Sequence, residues 1–290
     1  MFVRILSVCF AVLAGALTGG GVLAQEIGVV ASATGSGDIR TSSGRVRLAE
    51  GVRLSVGDVV NTTAGSKAQL LFDDGTKIVV GAGSRLVVEE VLMQSNGKAE
   101  RFAVSAVGGT FRFISGKSAK KAYEITTPTA TMGIRGTAFD FTVRERERTD
   151  LVLLKGRVFV CAENGSCAEV RGRCTLLTLK GSSNFSGAES VEQKDDVLVA
   201  DFPFVLEQDP LKREFRAPVG SCGDIQARVA ARLAPPKSPA AIAAETALPD
   251  RTGGAESTER SIPDREQPEP ERPEPPAAPE PPEPEPPQAP

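Results

Sequence analysis

The sequence predicts an all-β fold, either a multi-stranded antiparallel β-sandwich or a β-solenoid-like domain, and three observations lead to it. From Ile27 to about Val199 the chain runs in short apolar segments broken by Gly, Asp, Asn and Ser. They recur at roughly 8–12 residues, the spacing of all-β domains. Several alternate with the period of a strand: Ala68, Leu70 and Phe72 share one face, and Phe111 and Phe113 share another with Arg112 opposite. Tyr123, Ile125 and Thr127 do the same, as do Phe139, Phe141 and Val143 against Ala138, Asp140 and Thr142. Finally, Asp74-Gly75, Asn96-Gly97 and Asn164-Gly165 each separate two β-type runs. Such pairs tolerate the positive φ that tight hairpin turns require.

Taken in order, residues 1–24 read as an export signal. Met1–Arg4 carries one positive charge, Ile5–Leu17 is apolar, and Val22-Leu23-Ala24 offers a small-residue cleavage pattern before Gln25. The alternative is an uncleaved anchor in the inner membrane, since residues 5–24 are uncharged over about the length that spans a bilayer. A β segment over 25–54 precedes the main β domain at 55–160, and a further β extension occupies 161–222. One short helix is expected over 223–234, where Asp224 caps a run with Ile225, Val229 and Leu233 on one side and Pro235-Pro236 stops it. The last 56 residues hold 17 of the 21 prolines, and 263–290 carries eight acids against two bases. Residues 235–290 therefore read as a disordered, extended Pro/Glu-rich tail.

The composition removes whole classes of chemistry. There is no histidine, hence no Ser-His-Asp or Cys-His pair and no His-ligated metal. Adjacent acids such as Glu89-Glu90 point to opposite faces of a strand and cannot flank one bond. Ser115-Gly116-Lys117-Ser118 imitates the end of a phosphate-binding loop, but Phe111 stands where its first glycine belongs. No catalytic, cofactor-binding or metal-binding residue is expected. With 34 basic and 37 acidic residues, the balance is too weak for nucleic-acid binding. Cleavage after Ala24 would discard Cys9 and leave Cys161, Cys167, Cys174 and Cys222, an even set that in an exported chain reads as two disulfides. Of the three possible pairings, Cys161–Cys167 with Cys174–Cys222 is favoured, because the first closes a short hairpin around Asn164-Gly165.

The Arg144-Glu145-Arg146-Glu147-Arg148 run reads as a strand end with Arg144, Arg146 and Arg148 on one face. It discourages edge pairing, or it offers a basic ridge to an acidic partner. In Thr127–Phe139, Pro128 suits an edge or bulge position, and Gly133 and Gly136 permit a bulge or close backbone approach. Arg135, between those glycines, bonds carbonyls at the bulge, pairs with an internal acid, or contacts a partner.

Gly57-Asp58-Val59-Val60 followed by Thr63, Asp74-Gly75-Thr76, Thr127-Pro128…Arg135-Gly136-Thr137-Ala138-Phe139 and Lys155-Gly156-Arg157-Val158 form an ordered pattern that resembles the FecR domain over about 55–160. The motif residues it identifies are Gly57, Asp58, Pro128, Arg135, Gly136, Thr137 and Phe139. The founding member of that family relays a periplasmic signal to a sigma factor through a cytoplasmic N-terminal segment. Only Met1–Arg4 precede the apolar run here, so direct anti-sigma action is not expected. The resemblance implies a stand-alone, exported, non-catalytic module, periplasmic or cell-surface associated, working in envelope sensing through protein–protein contacts. An envelope protein is the implied partner, a membrane sensor or outer-membrane protein. The alternative is a structural module that binds peptidoglycan or polysaccharide.

Overall fold

A computed structural model describes residues 25–119, 121–144 and 147–233. The expected export signal and Pro/Glu-rich tail lie outside the described residues. The strands are β1 (Glu26–Thr34), β2 (Gly37–Thr41), β3 (Gly44–Arg47), β4 (Arg53–Ser55), β5 (Val59–Thr62), β6 (Lys67–Phe72), β7 (Lys77–Val80) and β8 (Arg85–Met93). They continue with β9 (Ala99–Ile114), β10 (Tyr123–Thr126), β11 (Ala130–Arg144), β12 (Arg148–Ala162), β13 (Cys167–Val170), β14 (Thr175–Lys180) and β15 (Asn184–Ser186). Helices follow: α1 (Val191–Asp201), α2 (Pro203–Leu206) and α3 (Ile225–Leu233), with single 3-10 turns at Arg213–Phe215 and Gly220–Cys222. The three Asp-Gly and Asn-Gly pairs lie at the β6–β7, β8–β9 and β12–β13 turns, as their residue chemistry requires.

All described strands join one continuous sheet, antiparallel except where β10 runs parallel to β9. Three long strands serve two halves of it. In the first half the order is β3-β2-β5-β8-β9-β10-β11-β12-β13; in the second it is β4-β1-β6-β7-β9-β11-β12-β14-β15. The halves pack face to face: Phe72 of β6 meets Phe102 of β9 with ring centroids 4.8 Å apart, and Phe113 meets Tyr123 at 5.7 Å. Between them lie the alternating residues read from the sequence, Ala68, Leu70, Phe72, Phe111, Phe113, Ile125, Phe139 and Phe141, all buried.

Each long strand passes from one half to the other at a glycine with left-handed backbone. These are Gly109 (φ +107°), Gly136 (φ +62°) and Gly156 (φ +86°). The β11–β12 register shifts between Arg135 and Phe139, at the bulge that Gly136 opens. Gly156 is doubly constrained, because a Cβ there would stand 2.3 Å from the Gly136 carbonyl oxygen. Gly133, by contrast, sits in regular strand with nothing nearer than 3.9 Å to its missing Cβ, so only Gly136 of the expected pair makes the bulge.

The outer face of the second half is also buried. Phe202, Val205 and Ile225 pack with Ala138, Val152 and Leu154, while Phe204, Leu211 and Phe215 cover Val79. Helix is therefore more extensive than the one segment expected. α1 and α2 occupy part of the stretch assigned to the β extension. α1 is so polar that only Asp195, Leu198 and Asp201 are buried, which removes the amphipathic signal. Its start was nonetheless encoded: Ser190 caps it, accepting a hydrogen bond from the Gln193 N–H at 3.1 Å. The Cys161–Cys167 and Cys174–Cys222 disulfides are both formed.

Candidate functional site

The motif residues divide into those with a structural task and one without. Gly57 turns the chain at φ +89°, and its N–H donates to the Val88 carbonyl at 2.8 Å. The buried Asp58 carboxylate accepts from the Ser55 N–H at 2.8 Å; burial pushes its pKa up, with that hydrogen bond pulling the other way. In the Asp74-Gly75-Thr76 turn the buried Asp74 carboxylate accepts from Thr76 N–H (2.8 Å), Thr76 Oγ1 (2.9 Å), Ser118 Oγ (2.7 Å) and Tyr123 Oη (2.9 Å). That one side chain ties a turn of the second half to β10 of the first.

Thr127, Pro128 and Thr129 connect β10 to β11, and the Thr127 N–H closes the turn by donating to the Ala130 carbonyl at 2.7 Å. The hydroxyls of Thr127 and Thr129 meet that of Thr149 at 3.1 and 2.7 Å. Thr137 secures the corner after Gly136: its hydroxyl donates to the Arg157 carbonyl at 2.9 Å and its N–H to Ser115 Oγ at 3.0 Å. Phe139 completes the aromatic core, 5.6 Å from both Phe113 and Phe141.

Arg135 has no such task. It is exposed, and no hydrogen bond or carboxylate engages its side chain among the described residues. It lies directly opposite Arg157 in the register, an unfavourable like-charge pair. Arg157 leans to Glu169 at 3.6 Å, and Arg171, the larger influence, helps hold that carboxyl below its usual range. Elsewhere on this outward face Arg101 pairs with Glu90 at 2.7 Å. Arg135 thus projects a charge that no carboxylate among the described residues compensates.

Beside it, Gly133 stands opposite both Glu124 of β10 and Phe159 of β12. The missing side chain leaves a depression of about 550 Å³ lined by Lys121, Glu124, Thr131, Gly133, Arg135 and Phe159. Phe159 is 40 % exposed, unusual for an aromatic residue paired on both sides within a long strand. A larger depression of about 670 Å³ lies near Pro128, Glu163 and Ser182, but its Thr127 and Thr129 hydroxyls already bond to Thr149.

The basic ridge takes a different form from the one expected. β11 ends at Arg144 and β12 starts at Arg148, and the two pair across a hairpin instead of following one another along one strand face. Arg144 binds Asp201 of α1, and Arg148 binds Asp150 at 2.6 Å, so both charges are compensated within the chain. Arg146 lies outside the described residues. Sequence reasoning singled out Arg135 but missed Phe159, because Val158-Phe159-Val160 reads as a wholly buried run; only its register against Gly133 gives it away. Among the described residues no cluster of three or more Cys, Asp or Glu could hold a metal ion, and no helix is long and apolar enough to cross a membrane.

Comparison with known proteins bears on the same stretch. Residues 58–159 match the family described as FecR protein. No curated protein matches the chain. Two crystal structures of a candidate anti-sigma factor from Parabacteroides distasonis ATCC 8503 are similar at 15 % and 16 % identity, each with a TM-score of 0.38. The matches cover 45 % and 49 % of this chain and 58 % and 63 % of those chains, so this chain spans less than two thirds of their length. The glycine corners, the buried turn carboxylates and the family match all fall in one stretch, and residues 58–159 of this chain are a FecR domain.

Proposed function

We propose that the chain is a non-catalytic binding module of cell-envelope signal transduction and that its contact surface is centred on Arg135 and Phe159. The observation that carries this reading is a subtraction. Six of the seven motif residues serve turns, corners or core, and Arg135 alone of the seven faces solvent with no compensating carboxylate among the described residues, opposite a second arginine and beside an exposed aromatic ring. Arginine and aromatic residues together are the side chains that dominate protein–protein contacts. A carboxylate from a partner would relieve the Arg135–Arg157 repulsion, and an apolar side chain would cover Phe159 over the notch at Gly133. Export to the periplasm or cell surface is part of the proposal, supported by the charged-then-apolar start of the chain and by two disulfides, which persist in oxidising compartments.

The test is a photo-crosslinking amino acid placed at position 159 in cells. One saturable envelope-protein adduct is expected, and Arg135→Glu should weaken it at least about tenfold, the scale of losing one contact to a charged group. A face that yields no saturable adduct, or an adduct indifferent to Arg135→Glu, would remove this surface from consideration.

A further inference from the structure

The two disulfides differ in everything except their chemistry. Cys174 and Cys222 are each 4 % exposed, set among Val152, Leu154, Leu198 and Ile225, and they join positions 48 apart. Cys174 is also the one non-glycine residue with positive φ among the described residues (φ +57°), held between β13 and β14. Cys161 and Cys167 are six apart and sit directly opposite each other on β12 and β13, with Cys167 exposed and Cys161 half-buried.

The second bond adds little to the shape of its hairpin. Val158–Val170, Phe159–Glu169 and Val160–Ala168 already pair. The turn is closed by the Ala162 N–H donating to Ser166 O (2.8 Å), the Gly165 N–H to Ala162 O (3.0 Å) and the Ser166 N–H to Asn164 Oδ1 (3.0 Å). Thr131, Cys161 and Cys167 form one row across β11, β12 and β13. On the Thr131 side of that row, away from Cys167, a depression of about 260 Å³ is lined by Thr126, Thr131, Cys161 and Glu163. Attack on a disulfide sulfur is in line with the S–S bond, and the row puts Thr131 and this depression on the side of Cys161 away from Cys167.

We propose that Cys161–Cys167 is a thiol-exchange site for a small aminothiol, whereas Cys174–Cys222 is a permanent structural link. The incoming thiolate enters the depression with its ammonium group towards the Glu163 carboxylate and attacks Cys161 Sγ. A new S–S bond forms between the thiol and Cys161, and the Cys161–Cys167 bond breaks. Its electron pair leaves on Cys167, where solvent stabilises the thiolate and then supplies a proton. One disulfide replaces another, and no external oxidant or reductant is consumed. Phe159 and Glu169 occupy the next row of the same hairpin, so the exchange marks a position beside the FecR domain's outward face.

The experiment treats the folded, full-length protein with millimolar cysteine, quenches with acid, alkylates under denaturing conditions and maps peptides by mass. Expected is cysteine bound at Cys161 with Cys167 alkylated, at least about tenfold faster than any opening of Cys174–Cys222. Glu163→Gln should slow exchange with cysteine while leaving exchange with 2-mercaptoethanol unchanged. An adduct found on Cys167, equal opening of both disulfides, or a Glu163→Gln variant equally slow with both thiols would overturn the proposal.

Discussion

Arg112 and Asp140 face each other from neighbouring β9 and β11 with no access to solvent, on the side of the sheet opposite the phenylalanines. The guanidinium bonds both carboxylate oxygens, Nε to Oδ1 at 2.6 Å and Nη2 to Oδ2 at 2.8 Å. It also donates to the Phe204 carbonyl at 2.7 Å and to Gln208, and its carbon lies 5.7 Å from the centre of the Phe204 ring. The pair is therefore the anchor by which the C-terminal extension grips the sheet. Burial pushes the Asp140 carboxyl up, and Arg112 pulls it back. Removing one partner leaves the other desolvated and alone, so Arg112→Met is expected to cost about 3–5 kcal/mol in urea unfolding. The double variant Arg112→Met, Asp140→Leu should recover most of that loss, since a buried pair is often no more stabilising than apolar residues of similar volume. A double variant as unstable as the single one would show that the hydrogen bonds to Phe204 and Gln208, and not the lone charge, carry the effect.

Strand corners and helix contacts respond to different variables. Gly136 and Gly156 approach one another where β11 and β12 cross between halves, and neither geometry tolerates a side chain at Gly156. Gly156→Ala should lose about 1–3 kcal/mol from the left-handed backbone alone, with the 2.3 Å contact adding to it. Gly133→Ala, in regular strand, should stay within about 0.5 kcal/mol of the parent; matched urea midpoints of the two variants would refute the corner argument. The helices are linked by Arg228 of α3, which binds Asp195 of α1 at 2.6 and 2.7 Å. The hydrogen bond from Arg228 holds the Asp195 carboxyl below its ordinary value of 3.8, with desolvation opposing. A depressed carboxyl stabilises the folded state above the unfolded value, and that stability is lost as pH falls from about 3.8 through the folded value. Asp195→Asn should flatten this acid limb, read as the slope of unfolding free energy against pH below 4. An unchanged slope would mean that other carboxylates control acid unfolding.

At the scale of the molecule, what could be read in advance was what local chemistry determines. Asp74-Gly75 and Asn96-Gly97 announce turns because φ > 0 is a property of the residues themselves. Phe111-Arg112-Phe113 announces a strand with its arginine opposite the phenylalanines, but alternation reports only one buried face, and Arg112, Ala138, Asp140 and Thr142 are buried on the second. The exchange of β9, β11 and β12 between two halves has no local signature beyond a glycine in each. Arg135 could be singled out from its place between glycines, whereas Phe159 needed its cross-strand neighbour. The cover on the second face was least visible, yet it decides where the fold ends. Phe202, Phe204, Val205, Leu211, Phe215 and Ile225 bury the face that carries Arg112, Asp140, Val79 and Val152, although the family match stops at residue 159. A chain ending at residue 187 would leave that face open and strip the buried arginine of its bonds to Phe204 and Gln208. Fully burying each large apolar side chain contributes about 1.5–3 kcal/mol, so losing six of them removes stabilisation comparable to the whole stability of an ordinary domain. Residues 25–187 are therefore expected to bind a hydrophobic dye and to unfold without a cooperative transition, whereas residues 25–233 melt as one unit. A sharp calorimetric transition from the shorter chain would instead mean that the FecR domain and its flanking strands are stable alone, with the C-terminal extension an accessory and not part of the core.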